Sequence, residues 1–314
     1  MIYTVTFNPA IDCVMRASEL RFGHVNRADR QEIYFGGKGV NVSEVLAQLG
    51  RASTAWGFTA GFTGAALEAA LRADGIATDF VRLPAGSTRI NMKLGIASEE
   101  GGPLEETALN ARGPEVDAAS LAAFYDKLPH VGAGDIVILS GALPVGMPSD
   151  AYARIMEALA PTGARVVVDA TGETLRSVLP YSPFLVKPND EELAALASCD
   201  PGDEAALQNA ALDLAAHGAR NVLVSRGGKG SFLLDETGAL RQAPGISGTL
   251  VNSVGAGDSM VAGFVAGYLA SCEAGEADPF DEAFKLAQAA GSATAFAPGL
   301  ASTSEIRALR AQLS

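Results

Sequence analysis

Apolar and polar positions follow two rhythms along this chain. Short apolar runs, IYTVTF (2–7), STAWGF (53–58), DIVILSG (135–141), ARVVVDA (164–170), FLVKPN (184–189) and NVLVSRG (221–227), read as buried parallel strands. Between most of them lie segments of helical spacing, such as VNVSEVLAQLG (40–50) and AALEAALRADG (65–75), each closing on a glycine. After a strand pair at SFLLD and ALRQA, the last third predicts helices over 257–273, 281–297 and 303–313. This order predicts an α/β fold: a doubly wound, mostly parallel sheet flanked by helices, with sites at the carboxyl ends of its strands. Residues 13–35 and 86–110 break the rhythm, being strand-like, more polar and not separated by helices. They predict a small β-sheet lid over the main sheet. No repeat, low-complexity tract or linker intervenes, so 1–314 reads as a single domain.

Composition narrows the function. A chain of 314 residues with 48% hydrophobic and 19% charged residues buries a large core, and its 35 glycines suit many tight strand-to-helix turns. The net charge of -13 argues against a nucleic-acid partner, which is held mainly through Lys and Arg. Small anions remain possible ligands wherever basic side chains and backbone N–H groups converge. The three cysteines, Cys13, Cys199 and Cys272, form no C-x-x-C pair and suggest reduced thiols in the cytoplasm. The opening MIYTVTFNPAID lacks the basic start of a signal peptide. The longest apolar run, Met260 to Ala270, falls short of the ~20 residues that span a bilayer, so no membrane partner is expected.

Several familiar devices are excluded. GGKGS (227–231) has Gly230 after Lys229, where a phosphate-binding Walker loop has Ser or Thr, and neither Gly255 and Gly257 nor Gly37 and Gly39 complete a dinucleotide fingerprint. The histidines, His24, His130 and His217, support no metal cluster, and no nucleophile elbow is present.

NSVGAGDSM (252–260) is different. Gly255, Ala256 and Gly257 sit where a helix begins, so their N–H groups can close around an anion, and Asp258 falls in the first turn, where the dipole favours a carboxylate. An ordinary N-terminal aspartate behind a flexible turn fits GAGD alone equally well. In FGGKGVNVSEVLAQLG, Gly36 and Gly37 permit close backbone approach, while Lys38 and Asn41 open a helix; with Asp12 they suit a polyol bearing negative charge. Strand alternation in TRINMKLGIA (88–97) puts Arg89, Asn91 and Lys93 on one face, either a phosphate grip or a solvated face. KPNDEEL places Asn189 and Glu192 at a helix start, where they serve hydrated Mg²⁺, a capping box, or both. SRGGKG (225–230) suits a nucleotide phosphate and AAGSATAFAPG (289–299) a flat base, although each is also ordinary packing.

Taken in order, NPAID, GGKGVN, TRIN, LSGALP, VVDATGE, KPNDEE, VSRGGKG and NSVGAGDSM resemble the ribokinase-like, or PfkB, family of carbohydrate kinases over nearly the whole chain. The resemblance implies ATP as co-substrate, Mg²⁺, and Asp258 as general base beside an anion hole at 255–257. It implies sugar contacts from Asp12, Gly37, Lys38 and Asn41, with Arg89 on the substrate phosphate; Asn91 and Lys93 are added from the strand alternation, and Gly36, Asn110 and Ser140 as further substrate-side candidates. The nucleotide side comprises Lys187, Asn189, Ser225, Gly227, Gly228, Gly230 and Ser292, with Glu192 reaching the metal through water. The forms FNPAID, GGKGVN, ALNARGP and NSVGAGDSMVAGF are most similar to members acting on D-fructose 1-phosphate at O6. Tagatose 6-phosphate is the alternative substrate, and a non-catalytic sugar-phosphate sensor of the same fold is the alternative function. In the branch acting on fructose 6-phosphate a second arginine follows TR-x-N; here that region reads PLEETALNARG, leaving Arg112 or a partner subunit as further phosphate ligands. The family also implies a homodimer through the lid.

Overall fold

The computed structural model describes residues 1–96 and 105–313, so part of the second lid stretch, 97–104, lies outside the described residues. The chain runs β1 (Ile2–Thr6), β2 (Ala10–Ala17), β3 (Arg30–Gly36), α1 (Lys38–Gln48), β4 (Thr54–Ala60), α2 (Gly61–Ala73), β5 (Ala77–Thr78) and β6 (Val81–Leu83). It continues through β7 (Arg89–Ile96), β8 (Glu105–Leu109), α3 (Ala118–Tyr125), β9 (Ile136–Ser140), α4 (Ala151–Leu159), β10 (Arg165–Asp169), α5 (Gly172–Val178) and β11 (Leu185–Val186). The last part comprises α6 (Asp190–Ala197), α7 (Glu204–Ala216), β12 (Val222–Ser225), β13 (Ser231–Leu234), β14 (Leu240–Ala243), α8 (Ala256–Ala274), α9 (Pro279–Ala295) and α10 (Thr303–Arg310).

Two sheets result. The main one has the order β14-β13-β12-β11-β10-β9-β1-β4-β5, with β6 also on β4, and is parallel except where β13 pairs with β12 and β14. The doubly wound expectation therefore holds. Side chains alternate between its two faces: Val137 and Leu139 point into one apolar layer with Val5, Phe7 and Phe124, and Ile136 and Ile138 into the other with α1, α8 and α9. The small-residue run of α8 is explained by its neighbour, because a Cβ on Gly263 or Gly267 would come within 2.5 or 2.8 Å of the α9 backbone. FLVKPN is strand only at Leu185–Val186; Pro183 and Pro188 bracket it and cannot donate to a ladder.

The second sheet has the order β3-β2-β7-β8 and is built from the two stretches that broke the sequence rhythm. Its β2 and β7 run parallel with Asp12 opposite Asn91 and Ala10 opposite Arg89. That register puts Asp12, Arg89, Asn91 and Lys93 on one face, as alternation predicts, and Ile90 and Met92 on the other.

Candidate active site

Strand order reverses at β1, which lies between β4 and β9, and ligands of such sheets bind outside the carboxyl ends of the strands around that point. Here those ends deliver Asp169 ending β10, Lys187 after β11 and Ser225 ending β12, while Asp12 comes from β2 of the small sheet, the strand that follows β1. They open into a cavity of about 750 Å³, within the range of small-molecule and cofactor sites.

At its centre is the start of α8. Gly255 caps the helix at φ 82, a left-handed conformation that glycine adopts without strain, and Asp258 follows in the first turn, 5% exposed. The Ala256 N–H is taken by the Ser253 carbonyl at 3.2 Å. Among the described residues the Gly255 and Gly257 N–H groups have no protein acceptor, so these two are the open donors of the expected anion hole. Asn41, one turn into α1, donates to Asp258 Oδ2 at 2.7 Å and fixes the carboxylate. Burial, reinforced by the negative charge of Asp169, pushes the Asp258 carboxyl up to about 6, against the pull of the Asn41 bond, Lys38 and Lys187.

Asp169 is the site residue that sequence reasoning missed. It is 2% exposed, receives Lys38 Nζ at 2.9 Å on one oxygen and stands 3.6 Å from Lys187 Nζ with the other. Burial opposes its ionisation, yet Lys187 and Lys38 hold it below the usual carboxylate range. Reciprocally, Lys38 is raised despite the cost of burial, chiefly by Asp169. A Cβ on Gly257 would stand 3.1 Å from Lys187 Nζ, so this ammonium lies against the opening of α8. Two cations and two open N–H groups thus converge on a point that Asp258 overlooks, an arrangement suited to stabilising charge on a transferring phosphoryl group.

The small sheet forms another wall. Asp12 accepts from Asn91 Nδ2 at 2.8 Å and pairs with Lys93 at 3.3 Å, while Asn91 Oδ1 accepts from the Ala111 N–H at 3.2 Å. Arg89 donates through Nε to the Asn8 carbonyl at 3.2 Å. Burial lowers its guanidinium below the ordinary value, partly offset by Asp12.

At the other end, Asn189 and Glu192 form the full capping box of α6, Asn189 Oδ1 accepting from the Glu192 N–H at 2.7 Å and Glu192 Oε2 from the Asn189 N–H at 2.9 Å. One Glu192 oxygen is left for the cavity. No cluster of three or more His, Cys, Asp or Glu that could cage a metal occurs among the described residues. A single free carboxylate oxygen in a phosphate-binding cavity fits Mg²⁺, which keeps most of its waters and takes its remaining ligands from substrate phosphates. Gly227, Gly228, Gly230, Ser225 and Ser292 line this end, with Ile246, Leu250 and Phe296 as apolar wall.

Four sequence candidates are not on the cavity surface. Gly36 is buried at the end of β3, and Asn110 is exposed beyond the lining. Ser140 is 1% exposed at the end of β9, with its hydroxyl unpartnered in the protein. Lys93 is held by Asp12, so the two cations expected on this strand reduce to Arg89.

Comparison with known proteins gives this geometry its context. The pfkB family carbohydrate kinase model matches residues 3–307. The chain is 39% identical to a 1-phosphofructokinase of Bacillus subtilis, over 96% of this chain and 94% of that protein. It is 35% identical to a D-tagatose-1-phosphate kinase of Bacillus licheniformis, over 100% and 98%. The structure of Escherichia coli phosphofructokinase-2 in complex with substrates and products superposes with a TM-score of 0.88 at 27% identity, covering 99% of both chains. With the fold, the cavity and these relatives in agreement, the chain belongs to the pfkB family of carbohydrate kinases, as an ATP-dependent kinase of sugar phosphates.

Proposed function

We propose that this kinase transfers the γ-phosphoryl group of ATP to O6 of D-fructose 1-phosphate, giving fructose 1,6-bisphosphate and ADP. The observation that carries the reading is the charge pattern of the cavity. Lys38 and Lys187 share Asp169, whereas Arg89 lines the cavity with no carboxylate within ion-pair distance among the described residues. A half-buried guanidinium without a counter-ion suits an anionic group on the sugar. With the phosphate at Arg89 and the hydroxyls toward Asp12, the far end of the sugar meets Asp258. Asp258 takes the proton of the attacking hydroxyl, and a carboxylate with a pKa of about 6 combines ionisation at neutral pH with useful basicity. The Gly255 and Gly257 N–H groups and Lys187 receive the negative charge on the transferring group. Asn189, Ser225, Gly228 and Ser292 hold the nucleotide, and Glu192 holds Mg²⁺ through water. Mg²⁺ held there would offset the negative charge of the ATP phosphates during transfer.

The geometry alone also accepts a 6-phosphate with attack from O1. The phosphate is assigned to C1 because both curated relatives are named for sugar 1-phosphates. The second reading is accordingly tagatose 1-phosphate, which differs from fructose 1-phosphate at C4, ahead of tagatose 6-phosphate. The small sheet serves as the lid and as a homodimer interface: its outer face exposes Ile33, Ile90, Met92 and Leu109, where Met92 stands opposite Leu109.

The test is ADP release with Mg-ATP and fructose 1-phosphate, tagatose 1-phosphate, tagatose 6-phosphate, fructose 6-phosphate, fructose and ribose, ranked by kcat/KM. Fructose 1-phosphate is expected to lead, with the product carrying its new phosphate on C6. A lead for tagatose 1-phosphate selects the second reading, and turnover confined to unphosphorylated sugars sinks both.

A further inference from the structure

A phosphate monoester carries a charge of about −1.5 to −2 near neutral pH, and Arg89 supplies one positive charge. The neighbouring cations are committed elsewhere, Lys93 to Asp12 and Lys38 and Lys187 to Asp169. The sugar end of the site is therefore one cation short of neutrality.

Asn8, two residues after β1, holds the main chain of a second arginine, Arg112, at this end. Its carbonyl accepts from Arg89 Nε at 3.2 Å, and its side-chain Nδ2 donates to the Arg112 carbonyl at 2.9 Å. One residue thus ties down both arginines, the first by its side chain and the second by its main chain. A further amide secures the same segment, because Asn91, already bonded to Asp12, accepts from the Ala111 N–H at 3.2 Å. Gly113 completes the close approach: it has φ +84, and a Cβ there would stand 2.2 Å from Asn8 Oδ1, so only glycine lets the chain press so tightly on Asn8. Segment 111–113 is consequently fixed beside the sugar wall while the Arg112 side chain stays exposed.

We propose that Arg112 is the second phosphate-recognising guanidinium of this site, and that Asn8 is the positioning residue that sets it beside Arg89. The proposal rests on the phosphosugar reading above and names the residue that makes a phosphorylated sugar preferred. Two guanidinium forks match the oxygens of a phosphate better than ammonium groups do.

The test is steady-state kinetics with fructose 1-phosphate and Mg-ATP, each varied in turn, on the wild type, Arg112→Gln, Arg112→Lys and Asn8→Ala. A charge-assisted bond of this kind corresponds to a rise of about 10–100-fold in the sugar-phosphate KM of Arg112→Gln. The KM for ATP and kcat should move less than about threefold, and Arg112→Lys should recover part of the loss. Asn8→Ala should raise the same KM, and combining it with Arg112→Gln should add little, because Asn8 acts through Arg112. An unchanged sugar-phosphate KM in Arg112→Gln, with the wild type active on the phosphosugar, overturns the proposal and leaves the proposed activity standing, with the partner subunit as source of the second charge. Equal rises in both KM values mark a disturbed fold and also overturn it. A wild type inactive on phosphosugars overturns both readings together.

Discussion

Replacing Asp258 by Asn should cost the enzyme its activity and make the protein more stable. The carboxyl is 5% exposed, and burial together with Asp169 raises its pKa from 3.8 to about 6. That difference corresponds to about 3 kcal/mol favouring the protonated form in the folded state. Because the folded pKa is raised, the group's contribution to stability is fully present below about 4 and is lost as pH rises through about 6, so the ionised wild type bears the whole cost at about pH 8. The asparagine amide of the variant carries no charge, and its oxygen can still accept from Asn41, which bonds Asp258 at 2.7 Å in the wild type. The variant should therefore gain up to about 3 kcal/mol at pH 8 and about half of that at pH 5, where much of the wild-type cost is already relieved. For 314 residues, an unfolding entropy of about 2.1 cal/mol/K per residue turns 3 kcal/mol into a Tm increase of about 4–5 °C. Scanning calorimetry at both pH values measures the gain, and the coupled ADP assay should show turnover reduced by about 10²–10⁴. A lower Tm at pH 8, or a gain of equal size at both pH values, would refute the electrostatic account of the site.

Two other substitutions probe different links in the same structure. Asp169→Asn removes a charge that raises Asp258 and releases Lys38 and Lys187, so the acid limb of the pH–rate profile should move below about 6 and the KM for ATP should rise. Comparing variant with wild type cancels the ionisation of the sugar phosphate, and an unmoved limb would contradict the coupling. Gly57→Ala places a Cβ 1.9 Å from the Thr6 carbonyl oxygen at φ +139, between two central strands; a loss of about 3 kcal/mol or more is expected in denaturant unfolding, and a loss under about 1 would show that β1 and β4 can separate locally.

The sequence signals that succeeded were local ones. The turn that opens α8, the glycine pair before α1 and the capping box at Asn189 are set by residues within a few positions of one another, and each stands where it was expected. The alternation in β7 likewise sorted its faces correctly. It did not say what each face would meet. Lys93 looked like a free cation because Asp12 lies far away in the chain, and the parallel pairing of β2 with β7 that brings them together leaves no trace in either segment.

Asp169 shows the same blindness at the centre of the site. As the last residue of an apolar strand it reads like any turn aspartate, and its two lysines stand 131 positions before it and, at Lys187, beyond a whole helix. Its charge nevertheless orders the chemistry. Two lysines at the mouth of α8 would hold a neighbouring carboxylate low and make it a poor base; the buried Asp169 pairs with both, adds its own repulsion, and lets burial carry Asp258 to about 6. The carboxylate proposed as the base is thus made more basic by a residue outside the GAGD motif. A change in that motif's activity across related chains should therefore be sought first at the ends of β10 and β11, where the lysine–aspartate pairing is set, and only then in the motif itself.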